Sequence, residues 1–120
     1  DVDIYRPEIL RAAALSGAEI ILSSQFIPLY DYQSQKLGQL AFQAADNGVY
    51  IVNVSNASTS VIAPVETASC PGGFLVREDD SVPLFYSLDT GLYKKSSVPA
   101  SPLARLRPAL YEKYAAYLGR

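Results

Sequence analysis

Few side chains in this 120-residue sequence can do covalent chemistry. There is no histidine, which removes Ser-His-Asp and Cys-His catalysis and most zinc sites. One thiol remains, Cys70, in the stretch TASCPGGF. A reactive thiol needs a depressed pKa or a neighbouring base, and nothing in that stretch offers one, so Cys70 reads as structural. Glu78, Asp79 and Asp80 are consecutive and do not converge on one point as alternate strand residues would; a solvated turn accounts for them. Gly72 and Gly73 lack the spacing of a phosphate-binding loop. The remaining candidates act by hydrogen bonding and shape. Ser23, Ser24, Gln25 and Phe26 follow one short apolar run, and Asn53 and Asn56 close another. Open α/β sheets bind ligands beyond the C-terminal ends of their strands. Ser24, Gln25, Phe26 and Asn53 are therefore the candidate pocket residues, with ordinary turn formation as the alternative.

Two helix-then-strand units must position these residues. Pro7 suits a first helical position because its missing N–H would be unpaired there, and Glu8 favours the first turn. Leu10, Ala13, Ala14 and Gly17 share a face, and Gly17 ends the helix. AEIILS (18–23) then reads as a buried central strand covered on both faces. After a loop over 24–33, Ser34 is the expected N-cap of a helix running to Asn47, with Leu37, Leu40, Ala41 and Ala44 on its inner side. Gly48 supplies the stop, and VYIVNV (49–54) is the second buried strand. STSVIAP (58–64), GGFLVR (72–77) and VPLFYSLD (82–89) read as antiparallel strands. KSSVPASP (95–102) is linker-like. A terminal helix is expected from Pro108, with Leu110, Tyr114, Tyr117 and Leu118 on one side. Helices alternating with apolar strands define an α/β class with a mixed sheet.

Composition sets the outer bounds. Hydrophobic residues make up 49% and charged residues 18%, which is globular rather than disordered. The chain is long enough for one domain with its own core. A net charge of −2 provides no basic footprint, so no nucleic-acid partner is expected. No apolar run approaches the length of a membrane span, and no membrane partner is expected. A single cysteine fits a reducing compartment, the cytoplasm. The sequence opens on Asp1 and contains no methionine, so it reads as an interior piece of a longer protein.

The phrase D-x-x-x-P-E carried by Asp3, Pro7 and Glu8, followed by G-A-E-I-I (17–21) and A-x-D-N-x-V-Y-I-V (44–52), resembles the nitrilase (carbon–nitrogen hydrolase) superfamily. The tail R-L-R-P-A-L-Y (105–111) resembles that family's closing segment. The resemblance implies the C-terminal half of an α-β-β-α sandwich, with residues 95–120 as an interface extension. It implies a thiol-dependent hydrolase of amides or nitriles that needs no cofactor or metal, in which Glu acts as base, Cys as nucleophile and Lys as charge stabiliser. Glu and Lys would precede this chain, and Asp1 falls at the cysteine's place. The chain would then supply pocket wall and subunit contacts. A catalytically dead binding or assembly module, or an unrelated α/β ligand-binding domain, are the alternatives. Strands this apolar need cover on both faces. The expected partner is therefore the missing N-terminal half, a second copy, or both.

Overall fold

The computed structural model describes residues 2–26, 33–56, 58–78 and 83–91, together with Ala109 and Glu112. A 3-10 turn over Val2–Tyr5 leads into helix α1, Pro7–Leu15. Strand β1 spans Ile20–Gln25, helix α2 Gln33–Asn47, and strand β2 Tyr50–Ser55. Strands β3, Thr59–Ile62, and β4, Phe74–Glu78, complete a four-stranded sheet in the order β1-β2-β3-β4. The first pair is parallel, Ile20 against Tyr50, and the other two are antiparallel. This is a mixed α/β fold, as the pattern of helices and strands requires.

Local signals placed most boundaries. Pro7 opens α1, and Gly17 adopts φ +97° beyond its end. Gly48, at φ +65°, releases α2 into β2. On α1, Leu10 and Ala14 are buried. On α2, Leu37, Leu40 and Ala44 are buried. These residues pack with Ile4, Val49, Ile51 and Ile62 into one core on a single face of the sheet, hereafter the helix face. A smaller cluster of Tyr50, Ala63 and Cys70, joined by Leu75 and Leu88, lies on the opposite face.

Four expectations are corrected. AEIILS is not a central strand: among the described residues β1 is an edge of the sheet, and its Ile20 and Leu22 are 40% and 78% exposed. Helix α2 starts at Gln33, one residue before the expected cap position at Ser34. Ser24 and Gln25 belong to β1 rather than to the loop after it. Finally, residues 83–89 form no strand. They run instead as coil against the second cluster, where Leu88 packs and Tyr50 Oη donates to the Asp89 carbonyl at 3.2 Å. Ala109 and Glu112 are helical, and the rest of the expected terminal helix, like the 95–102 linker, lies outside the described residues.

Candidate functional site

The helix face of the sheet changes character along its length. Ile21, Ile51, Ile62 and Phe74 form one cross-strand row, joined to the core. Two positions toward the C-terminal ends of β1 and β2, the row becomes Ser23, Asn53, Ser60 and Arg77. Period-two alternation puts both rows on the same face along β1, β2 and β3, and a register shift in the β3–β4 ladder sets Arg77 across from Ser60. Apolar packing therefore gives way to polar side chains at the end where parallel strands present ligands.

One of these groups, Asn53, ends a relay of three side chains. Tyr5 Oη, from the turn before α1, donates to Gln25 Oε1, and Gln25 Nε2 donates to Asn53 Oδ1. Gln25 is 7% exposed and Asn53 is fully buried. Lys36 from α2 sets its ammonium 4.0 Å from the centre of the Tyr5 ring, a cation–π contact. Burial pushes the Tyr5 phenol above its ordinary pKa, and the Gln25 hydrogen bond opposes that shift. The turn before α1 and the end of β1 are thus joined by a neutral hydrogen bond.

The relay stops at an unsatisfied end. Asn53 Nδ2, Ser60 Oγ and Ser58 Oγ are buried without hydrogen-bond partners. An unmade bond of this kind costs roughly 1–3 kcal/mol, so three together are a sizeable fraction of a small domain's stability. Two hollows flank the relay. One of about 200 Å³ lies between α1 with its preceding turn and β1, and Asp3, Ser23 and Ser24 supply its polar lining. The other, about 500 Å³, lies between that turn and α2, against Tyr5, Pro7, Gly38 and Phe42.

The four candidates fall in different places. Gln25 and Asn53 meet directly. Ser24 is exposed and lines the smaller hollow. Phe26 is 70% exposed just beyond β1, and lines neither hollow. Asp1 lies outside the described residues. Sequence reasoning missed Tyr5 and Ser60. Ser60 was readable from its alternation with Ile62, whereas nothing local marks Tyr5, which meets Gln25 twenty positions away. Cys70 is buried in the cluster on the opposite face, with its Sγ 3.5 Å from the Val65 carbonyl. Burial pushes its thiol upward, and the Glu66 charge adds to the shift against hydrogen bonding by Thr67. It is neither near the relay nor activated. Among the described residues no cluster of three or more His, Cys, Asp or Glu could hold a metal, and no helix is long and apolar enough to cross a membrane.

A mixed sheet with helices on one face and hydrogen-bonding groups at its parallel strand ends is an α/β architecture. No protein-family model and no curated protein matches the sequence. Among solved structures, the fold is similar to a carbon–nitrogen hydrolase from Helicobacter pylori G27, with a TM-score of 0.69 at 19% identity. The likeness covers 94% of this chain but 46% of that protein. The chain thus has the fold of a portion of a carbon–nitrogen hydrolase, and spans a little under half the length of that relative.

Proposed function

We propose that the chain is the C-terminal part of a carbon–nitrogen hydrolase of the nitrilase superfamily, acting on non-peptide amide or nitrile bonds. The observation that carries this reading is the fold likeness, which takes in nearly the whole chain and under half of a known hydrolase. The phrase built on Asp3, Pro7 and Glu8 adds to it, because it falls on the turn that enters α1. The open side of the sheet adds more: Leu22 at 78% and Val54 at 49% exposure are suited to cover by further protein. That cover is the N-terminal portion of the same protein, a second copy, or both.

In this reading a cysteine thiolate attacks the amide or nitrile carbon, a glutamate takes the thiol proton, and a lysine stabilises the developing charge. Those groups come from outside the residues described. Ser24, Gln25, Phe26 and Asn53 contribute wall to a pocket that the rest of the protein completes, and the compartment is the cytoplasm. A second reading is a catalytically dead assembly module: the ungapped resemblance puts Asp1 at the place of the nucleophilic cysteine. A carboxylate is a far weaker nucleophile toward an amide than a thiolate.

One experiment separates the two. The intact gene product is assayed for ammonia release from short aliphatic amides and nitriles, in a Cys70→Ala background. Ammonia release that iodoacetamide abolishes supports the hydrolase. Absence of release, with aspartate encoded at the nucleophile's position, establishes the dead module.

A further inference from the structure

Hydrogen-bond direction along the relay is set at its start. Because Tyr5 donates to Gln25 Oε1, the Gln25 amide nitrogen faces Asn53 and donates to Asn53 Oδ1. Asn53 therefore commits its acceptor to Gln25 and keeps two N–H donors on Nδ2. That nitrogen has no partner, and neither does Ser60 Oγ, on the residue directly across from Asn53. Both residues are fully buried. Ser58 Oγ, two residues earlier than Ser60, is a third open group. Buried polar groups in folded proteins are satisfied by protein, water or ligand. The hollow beside β1 is lined by Ser23, the register partner of Asn53.

We infer that Asn53 and Ser60 form a buried subsite for the carbonyl oxygen of a small neutral molecule, with Tyr5 and Gln25 fixing which end of the Asn53 amide faces it. The inference deepens the pocket-wall reading and rests on it. Neutrality follows from the donors present. Asn53, Ser58 and Ser60 carry no charge. Lys36 is engaged over the Tyr5 ring, and Arg77, across from Ser60, has an interaction of its own. A carboxylate would lose its hydration against neutral donors only, which is costly, whereas a carbonyl has far less to lose.

The test titrates the intact gene product, with its asparagine side chains ¹⁵N-labelled, with three probes: acetamide, acetate and methylammonium. Acetamide is expected to bind saturably and shift the Asn53 side-chain amide signals. Methylammonium, which has no acceptor, should leave them in place, and acetate should bind much more weakly than acetamide. Asn53→Asp keeps the shape and the Gln25 bond but replaces the donor, and should lower acetamide affinity about tenfold, the worth of one hydrogen bond. Ser60→Ala is the gentler second variant and should lower it severalfold with the fold retained. Tyr5→Phe frees the Gln25 amide to turn over and should also weaken binding, which mere packing of Tyr5 would not. Asn53 signals unmoved by all three probes would mean a water-filled or closed site and would overturn the inference. Equal binding of acetate, or acetamide binding unchanged in both Asn53→Asp and Ser60→Ala, would overturn it as well. Ammonia release that survives Asn53→Asp intact sinks this subsite and leaves the hydrolase standing. Acetamide binding without turnover supports the subsite and counts against the hydrolase.

Discussion

Tyr5 has the most consequential side chain of the turn before α1, because its protonation state is tied to folding. Burial raises its pKa above the ordinary value near 10. A raised folded pKa means the stability contributed by the neutral phenol is fully present below about pH 10 and is lost as pH climbs through the folded value. The urea midpoint of the native protein should therefore fall more steeply above pH 10 than that of Tyr5→Phe; parallel curves would refute the linkage. Cys70 makes the opposite point, since its raised thiol and burial keep it protonated at neutral pH. Mass spectrometry after iodoacetamide treatment at pH 7.5 should find Cys70 unmodified in the folded protein and alkylated in urea. At this scale the sequence was half informative. Gln25 and Asn53 stood out as polar residues ending apolar runs. Their connection to each other and to Tyr5 needed the parallel pairing of β1 with β2, which no local pattern encodes.

At the scale of elements, two contacts tie the helices to each other. Arg11 on α1 donates to the backbone carbonyl of Asp46 at 3.0 Å and pairs with the Asp46 carboxylate, joining the two helices over the sheet. Its side chain is 14% exposed, but that of Asp46 is 39% exposed. Replacing Arg11 by Met should then cost about 1 kcal/mol in urea unfolding, discounted for solvent screening. Two glycines at positive φ give a paired comparison. Gly73 sits at +83°, and a Cβ there would lie 3.2 Å from the Ala63 carbonyl oxygen, where the two backbones already hydrogen-bond. Gly17 sits at +97° with nothing within 4 Å. Gly17→Ala should cost about 1 kcal/mol from backbone strain alone, and Gly73→Ala about 2 kcal/mol or more. Equal losses would show that the close approach does not matter. Element identity was readable where caps, prolines and alternation agreed, as in α1, α2 and β2. It failed over 83–89, whose alternation resembles a strand, because a strand also requires an edge to pair with, and here Leu88 and Asp89 meet Tyr50 instead.

For the whole molecule, the decisive asymmetry is between the two faces of the sheet. One is covered by α1 and α2. The other leaves Ile20, Leu22 and Val54 at 40%, 78% and 49% exposure. The 120-residue chain produced alone should bind anilinonaphthalene sulfonate, and Leu22→Lys with Val54→Lys should remove most of that fluorescence. A chain that binds no dye would mean that its own residues cover the face. The apolar strands announced in advance that cover is needed. Which strand lies at the edge depended on sheet order, which the sequence does not display.

The sheet order also has a kinetic consequence. Ile51 and Ile62 are eleven positions apart, whereas Ile20 and Tyr50 are thirty apart and joined through a helix. Loop closure makes the nearer partners meet first. The β2-to-β4 meander should therefore gain amide protection early in refolding, with β1 docking afterwards onto a surface already formed. A chain released from the ribosome would spend that interval with Ile20 to Leu22 of β1 unpaired, which is the period when a chaperone has something to grip.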